Sequence, residues 1–236
     1  MNPDQAARLR RHTIVALDLD TQEQALELVD ALFPIVDKFK IGSRMFTAFG
    51  PSILDAIAKR GGSVFLDLKF HDIPSVVASA CAAAADHEAV FMLTVHASGG
   101  SHMIAESVDA AKKKDGLTVV AVTALTSLGA SEIHSFGVEC TLEDWAEQLA
   151  KLAIDAGAHG IVCSAQELAR LKPLLADATV FVTPGIRAPD AVRDDQTRTM
   201  SAREALDAGS TYLVIGRPIY AAADPLLALK NIGASL

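Results

Sequence analysis

The stretch FLDLKFHDIP, residues 65–74, places three charged side chains at the end of an apolar run that is typical of a buried strand. In an extended strand Asp67 and Lys69 point to the same side, while Asp72 falls in the loop beyond the strand. Lys40, at the end of the adjacent predicted strand, can reach the same space. One such ion pair is worth roughly 4 kcal/mol at about 4 Å with an effective dielectric of about 20. This network would keep both lysines protonated in a site with little water; the alternative is a purely structural ion-pair network.

Two arginines in the C-terminal third predict a phosphate site. VTPGIR ends in Arg187, and VIGRP contains Gly216 and Arg217. Glycine admits close backbone approach and arginine offers a bidentate fork, so a phosphorylated substrate is expected. The polar segment APDAVRDDQTR between them is long enough to form a lid, and Gln196 is its best candidate for reaching a ligand. The alternative is that the glycines only serve turns and the arginines are solvated.

Apolar β-branched runs alternate with helical patterns along the chain, and no linker or repeat interrupts them. Near-continuous hydrophobic strands separated by helices indicate a parallel sheet that is buried on both faces. We therefore predict an α/β fold, a single (β/α)8 TIM barrel domain over residues 1–236 with a short N-terminal helix; an open doubly wound sheet is the alternative. The predicted strands are TIVALDL from residue 13, VDKFKIG from 36, SVFLDLKF from 63, VFMLTVHA from 90, LTVVAVTAL from 117, HGIVCSA from 159, TVFVTPGI from 179 and STYLVIGRP from 210. The helical patterns include TQEQALELVDALFP, DWAEQLAKLAIDAG and AQELARLKPLLAD.

Polar side chains recur at the predicted strand ends, from the first strand to the eighth. In a barrel of this kind the chemistry lies at the C-terminal ends of the strands and in the loops that follow. The sequence therefore predicts an active site at that end of the barrel. The strand-end residues are Asp18, Lys40, Asp67, Lys69, His96, Thr123, Thr126, Ser164, Arg187 and Arg217.

Composition and charge exclude several classes of function. A formal net charge of −8 disfavours a nucleic-acid surface, which would carry a basic patch. No apolar run reaches the roughly 18 residues of a membrane span, and the charged start of the chain lacks the apolar core of a signal peptide, so we expect a cytoplasmic protein. Three widely spaced cysteines give neither a disulfide framework nor a thiolate metal site. His71 and His96 are poor metal ligands, since neighbouring lysines would repel a cation.

The sequence resembles the orotidine 5'-phosphate decarboxylase family, whose members make UMP in pyrimidine synthesis. The D-x-K-x-x-D signature alone is shared with sugar-phosphate decarboxylases and synthases of the same barrel group. The joint presence of HDIP, VTPGIR and DDQ distinguishes this family. The matching segments occur in the family's order from about residue 12 onward: ALDLD, FKIG, FLDLKFHDIP, TVHASGG, VTALTS, VCSAQE, VTPGIR, DDQTR and VIGRPI.

The resemblance implies roles for the charged residues at the strand ends. Loss of CO2 from C6 of orotate leaves a carbanion that the ring delocalises poorly, and Lys69 is expected to stabilise that charge and then to donate the proton. In the family the last aspartate of the signature enters the site from the partner subunit. Asp72 is therefore expected to act across a homodimer interface. No organic cofactor or metal is required, and the expected catalytic residues are Lys40, Asp67, Lys69 and Asp72.

The resemblance also implies substrate contacts. Asp18 and Lys40 are expected to bind the ribose hydroxyls and Thr126 the pyrimidine. Gln196 is expected to reach base and phosphate from the lid. The phosphate is expected at Arg217 and the backbone of Gly216, with Arg187 beside them. The whole expected substrate-binding set is Asp18, Lys40, Asp67, Lys69, Asp72, Ile73, Thr126, Arg187, Gln196, Gly216 and Arg217.

One position departs from the family's pattern. The family usually has threonine two residues after the proline of DIP, where this chain has Val76. A hydroxyl contact near the ribose would then have to come from Ser75, one position earlier. Two rival functions remain: a metal-dependent sugar-phosphate decarboxylase or hexulose-phosphate synthase on the same barrel, and a catalytically silent barrel that binds a phosphorylated ligand.

Overall fold

Eight parallel strands form a closed barrel in a computed structural model of the chain, which describes residues 1–186 and 200–236. Each strand pairs with the next in sequence, and the first pairs with the eighth in the register Ile14 to Val214. The prediction of a (β/α)8 barrel is therefore confirmed, and the open sheet is excluded. The strands are β1 (Thr13–Ala16), β2 (Lys38–Gly42), β3 (Ser63–Phe70), β4 (Val90–His96), β5 (Thr118–Val122), β6 (Gly160–Val162), β7 (Val180–Thr183) and β8 (Tyr212–Ile215).

Helices follow the strands in sequence, and the predicted short N-terminal helix precedes the first strand. Within the described part of the chain, no helix combines the length and apolarity needed to cross a bilayer. The helices are α1 (Pro3–His12), α2 (Gln22–Leu32), α3 (Ser43–Phe49), α4 (Ser52–Ala58), α5 (Pro74–Ala85), α6 (Ser101–Ala111), α7 (Ala130–Ser135), α8 (Leu142–Asp155), α9 (Leu168–Leu171), α10 (Ala202–Asp207), α11 (Arg217–Tyr220) and α12 (Pro225–Ala234).

Local sequence fixes where the longer helices begin. Thr21 precedes α2, and its hydroxyl accepts the backbone N–H of Gln24 while the Gln24 side chain accepts the N–H of Thr21. This reciprocal cap satisfies two donors that the first turn leaves unpaired. Thr141 accepts the N–H of Asp144 at the start of α8 in the same way. The apolar residues that α2 then buries recur at helical spacing: Ala25, Leu28, Val29 and Leu32.

The pattern AQELARLKPLLAD does not form the single helix that the sequence predicts. The structure has the four-residue helix α9 between two 3-10 turns, Ala165–Glu167 and Lys172–Leu174. Pro173 explains the break, because it has no N–H for a helical hydrogen bond and its ring clashes with the carbonyl of the preceding turn.

Alternate residues of β1 belong to two separate apolar layers. Val15 belongs to the large cluster that also contains the helix side chains, whereas Ile14 and Ala16 belong to a smaller cluster. This alternation is what a barrel requires, with one face of each strand turned to the helices and the other to the interior. The smaller cluster fills the barrel with side chains and consists of Ile14, Ala16, Phe65, Met92, Val120, Val182 and Val214.

Candidate active site

A cavity of about 480 Å³ opens at the C-terminal ends of the strands, above the apolar residues that fill the barrel. Its size lies within the roughly 300–1,000 Å³ of small-molecule sites. The lining combines charged side chains from the loops and ends of β1 to β3 with glycines, prolines and an arginine that follow β7 and β8. The lining residues are Ala16, Asp18, Lys40, Phe65, Asp67, Lys69, Val122, Ala124, Leu125, Thr126, Val162, Cys163, Pro184, Gly185, Ile186, Val214, Gly216, Arg217, Pro218 and Tyr220.

Four side chains from the first three strands form a row of alternating charge, which we name the charged cluster: Asp18, Lys40, Asp67 and Lys69. Lys40 Nζ lies 3.7 Å from Asp18 Oδ2 and 3.6 Å from Asp67 Oδ2. The other oxygen of that carboxylate, Asp67 Oδ1, accepts a hydrogen bond of 2.9 Å from Lys69 Nζ. The two central members are nearly buried, with side chains 12% and 11% exposed, whereas Lys69 at the end is 38% exposed. The most accessible ammonium therefore faces the cavity.

The surroundings of Asp67 keep its carboxyl group ionised. Burial by itself would raise the pKa, but the charges of Lys40 and Lys69, with hydrogen bonds from Lys69 and Thr94, bring the pKa of Asp67 below its usual 3.8. The carboxylate is consequently a fixed negative charge at neutral pH, and it can only accept hydrogen bonds.

Lys69 reaches this position through an irregular backbone, which differs from the extended strand assumed from the sequence. Leu66 pairs with Leu93 and Phe70 pairs with Val95, so three residues of β3 face the single intervening residue of β4, Thr94. Lys69 has a φ of 51°, in the left-handed region that costs a side-chain-bearing residue about 1–2 kcal/mol. The simple alternation of side chains along a strand therefore does not apply at this position, although Lys69 and Asp67 do meet.

Gly42 leaves room for the ammonium group of Lys40, a contact that the sequence did not indicate. A Cβ atom at this position would lie 3.0 Å from Lys40 Nζ and 3.5 Å from Asp18 Oδ1. Any side chain at residue 42 would therefore press on two members of the charged cluster.

The wall of the cavity after β8, the strand that pairs with β1, carries the residues predicted to bind phosphate. Gly216 follows β8 directly, and a Cβ atom there would lie 3.3 Å from the Tyr220 ring and 3.4 Å from Ala16. Arg217 is half-buried and lines the cavity, as does Thr126 in the loop after β5. The bare backbone at residue 216 and the guanidinium of Arg217 thus share one side of the cavity.

Two predicted site residues lie outside the cavity, and two more are not among the described residues. Asp72 and Ile73 are exposed and outside the cavity lining of the single chain, and Asp72 Oδ1 accepts the N–H of Ile73 at 2.7 Å. Arg187 and Gln196 fall outside the described residues. The structure thus brings together seven of the predicted residues: Asp18, Lys40, Asp67, Lys69, Thr126, Gly216 and Arg217.

Sequence reasoning missed the apolar part of the wall, because it searched the strand ends for polar residues. Leu125, Cys163, Pro184 and Tyr220 line the cavity beside the predicted residues. The first three lie inside or next to the predicted strands, so position alone could have identified them. No grouping of three or more metal-binding side chains occurs across residues 1–186 and 200–236.

Two histidines stack beside Lys69 at the ends of β3 and β4. The rings of His71 and His96 have centroids 5.3 Å apart and an interplanar angle of 18°. His96 Nδ1 accepts the backbone N–H of Ser98 at 3.4 Å. Burial, together with His71 and Lys69 nearby, lowers the pKa of His96 from the usual 6.5 to about 4. This ring is consequently neutral at neutral pH, and it cannot serve there as a cation.

The neutral His96 should make the folded protein less stable in mild acid. As the pH falls from about 6.5 to about 4, the unfolded chain takes up a proton at this residue that the folded chain does not bind, so stability is lost across that window. His96→Gln should flatten this part of the curve, measured as the urea midpoint between pH 7 and pH 4.5. His134→Gln, which changes an exposed histidine of α7, is the control. Equal slopes for wild type and His96→Gln would contradict the assignment.

The comparisons with known proteins cover nearly the whole chain. A sequence model described as the Orotidine 5'-phosphate decarboxylase / HUMPS family matches residues 11–232. The orotidine 5'-phosphate decarboxylase of Salmonella typhi is 47% identical over 225 residues, covering 94% of this chain and 91% of that protein. The enzyme of the same name from Saccharophagus degradans is 47% identical over 226 residues, covering 94% of each.

Solved structures agree with the sequence matches. The crystal structure of orotidine 5'-phosphate decarboxylase from Lactobacillus acidophilus superposes with a TM-score of 0.82 at 34% identity, covering 95% of this chain and 98% of that one. The resemblance seen in the sequence is therefore confirmed. Because the match includes every strand of the barrel, the chain belongs to the orotidine 5'-phosphate decarboxylase / HUMPS family.

Proposed function

We propose that the protein decarboxylates orotidine 5'-phosphate to UMP and CO2, the last step of de novo pyrimidine nucleotide synthesis, without a cofactor. The observation that carries the proposal is the charged cluster, which presents the Lys69 ammonium to a cavity that Arg217 also lines. The relatives named orotidine 5'-phosphate decarboxylase support it. We further propose that residues 1–236 form one catalytic domain that works in the cytoplasm.

Decarboxylation requires the protein to stabilise a localised negative charge. The bond between C6 and the carboxylate breaks, the electron pair stays on C6, and CO2 leaves. The ammonium of Lys69 stands beside C6, lowers the energy of the developing charge and then transfers a proton from Nζ to C6. Lys69 is left as a neutral amine, which regains a proton from water after the product leaves.

Asp67 and Lys40 hold that ammonium in place before the reaction starts. The 2.9 Å contact between Asp67 Oδ1 and Lys69 Nζ fixes the direction of the lysine side chain. Lys40, on the other oxygen of the same carboxylate, prevents Asp67 from turning away. A charge that is already oriented costs no reorganisation when the carbanion forms, which is the main advantage of an active site over water.

The proposed binding contacts are those that the resemblance to the family implies. Asp18 and Lys40, which line the cavity 3.7 Å apart, bind the ribose hydroxyls, and Thr126, which also lines it, binds the pyrimidine. Arg217 and the backbone at Gly216 hold the phosphate. Arg187 and Gln196, outside the described residues, are proposed to complete the phosphate contacts. Phosphate binding contributes remote binding energy that positions the reacting ring.

We also propose a homodimer in which Asp72 reaches the partner's site. Asp72 is exposed on the single chain, and it lies beside apolar side chains that a partner would cover: Ile73 is 62% exposed and Val76 is 47% exposed. Exposed apolar residues that are grouped on a surface are typical of an interface. Ile73 would then lie next to the partner's substrate, and Val76 would replace a hydroxyl contact of the family by an apolar one.

The deciding experiment follows the ultraviolet absorbance of orotidine 5'-phosphate with purified protein in excess EDTA. Rapid loss of the substrate absorbance supports a metal-independent decarboxylase. No turnover, with activity on a sugar phosphate once magnesium is restored, would assign the protein to the metal-dependent branch of the barrel group. No turnover in either assay, together with binding of UMP, would indicate a catalytically silent barrel that binds a phosphorylated ligand.

Arg217→Ala should mainly weaken binding of the phosphorylated substrate. Hydrogen bonds to a charged group contribute about 1.5–3 kcal/mol, so we expect KM to rise by about 10- to 100-fold with a smaller change in kcat. Arg203→Ala is the matched control, because Arg203 is a surface residue of α10, 60% exposed and paired with Asp207. An unchanged KM in Arg217→Ala would remove this residue from the phosphate site.

A further inference from the structure

Thr94 of β4 faces the irregular segment of β3. It is the one residue between Leu93 and Val95, which pair with Leu66 and Phe70 on either side of the irregularity. Its side chain is completely buried, and it does not line the cavity. A polar side chain with no solvent contact at this position must find its hydrogen-bond partners inside the protein.

Both partners of the Thr94 hydroxyl belong to the charged cluster. Thr94 Oγ1 accepts the backbone N–H of Lys69 at 2.8 Å and donates to Asp67 Oδ1 at 3.1 Å. The direction is fixed at both ends, since a backbone N–H can only donate and an ionised carboxylate can only accept. One hydroxyl therefore connects the backbone of Lys69 to the carboxylate that also binds the Lys69 ammonium.

We propose that Thr94 is a positioning residue for the decarboxylation, holding Lys69 in its left-handed backbone conformation and the Asp67 carboxylate in the orientation that aims the Lys69 ammonium into the cavity. The inference rests on the proposed function, which it deepens by a residue that touches no substrate.

The backbone of Lys69 needs such a support. Lys69 lies in the segment where the regular ladder between β3 and β4 is interrupted, and its N–H is bonded by a side chain instead of a β4 carbonyl. The Thr94 hydroxyl accepts this N–H and makes a strained φ of 51° tolerable. Without the hydroxyl, the backbone can relax toward an extended conformation, and the side chain that leaves from this residue changes direction.

Orientation of the carboxylate is the second effect. Asp67 Oδ1 receives both the Thr94 hydroxyl and Lys69 Nζ, which leaves Oδ2 to face Lys40 at 3.6 Å. The hydroxyl thus determines which oxygen serves which lysine. Rotation of the carboxylate would lengthen the contact to Lys69 without breaking up the rest of the cluster.

Thr94→Val tests the proposal, because valine keeps the shape and removes the hydroxyl. We expect kcat for orotidine 5'-phosphate to fall by about 10- to 100-fold with KM nearly unchanged, since a misplaced reacting group costs about that much. Thr94→Ser restores the hydroxyl and should return kcat to within about threefold of wild type. Thr183→Val is the matched control: Thr183 is also fully buried at a strand end, and its hydroxyl bonds to Ser210 at 2.7 Å, not to the charged cluster.

A second measurement separates this inference from the proposed function. Exchange of the Lys69 amide hydrogen should be at least about tenfold faster in Thr94→Val than in wild type and Thr94→Ser, whether or not the protein turns over this substrate. Absence of turnover in wild type with this exchange pattern intact would count against the function alone. Equal kcat in Thr94→Val and Thr183→Val, or an unchanged Lys69 exchange rate, would overturn the role of Thr94.

Discussion

Lys69→Ala should abolish decarboxylation while leaving the nucleotide site intact. The variant loses both the cation that stabilises the carbanion and the acid that protonates C6, so kcat is expected to fall by roughly 10⁴-fold or more. Binding of UMP should stay measurable, because the proposed phosphate contacts are at Arg217, after β8, and not at Lys69 on β3. The measurement is kcat from ultraviolet absorbance, with a UMP dissociation constant from calorimetry.

The matched control for this variant is Lys38→Ala. Lys38 is at the start of β2, at the other end of the barrel, where its ammonium binds the Arg10 carbonyl and Asp37, both at 2.9 Å. Loss of that lysine should leave kcat within about threefold of wild type, since surface ion pairs contribute little. Near-normal turnover in Lys69→Ala would exclude Lys69 as the proton donor.

The barrel itself was predictable because its signals are local. Each strand is an apolar run and each long helix has apolar residues at helical spacing, so the order of elements follows from the sequence alone. One predicted helix is interrupted at Pro173, which is also a local cause. The regular spacing of the apolar residues continues across the proline, so the spacing alone does not reveal the break. Closure of the barrel has no such local signal: the sequence leaves an open doubly wound sheet as the alternative, and the pairing of β1 with β8 excludes it.

The sequence predicts which residues form the charged cluster, but it does not predict the backbone geometry through which they meet. Asp67 and Lys69 were placed on one face by the regular alternation of a strand, but they meet through an irregular backbone instead. That irregularity depends on Thr94, which is close only after β3 and β4 have paired. Pairing between strands is a long-range property, and no spacing within one segment reveals it.

The position of Asp72 is a further limit of single-chain reasoning. Its side chain is exposed and lies outside the cavity of its own chain. The structure of the single barrel therefore assigns Asp72 no contact with a substrate. A homodimer with the partner's site beside Asp72 would bring this carboxylate to a substrate. The proposal that it works in the partner's site therefore depends on solution experiments with two variants at once.

Mixing Lys69→Ala with Asp72→Ala should restore activity that neither variant has alone. If Asp72 serves the partner's site, a mixed dimer contains one site with both defects and one site with neither. Random association makes half of the dimers mixed, so the mixture should reach about a quarter of wild-type activity per site. The measurement is kcat after the two variants are unfolded together and refolded, compared with each variant refolded alone.

Lys69→Ala mixed with Asp67→Ala provides the control. Asp67 and Lys69 are in direct contact within one chain, so every mixed dimer has a defect in each of its two sites. This mixture should therefore stay inactive, even though its subunits exchange as freely as those of the first. Recovery in the Asp72 mixture alone establishes a shared site, because subunit exchange is common to both experiments and only the position of the second defect differs. Equal inactivity of both mixtures, with exchange demonstrated by differently tagged subunits, would mean that Asp72 acts within its own chain.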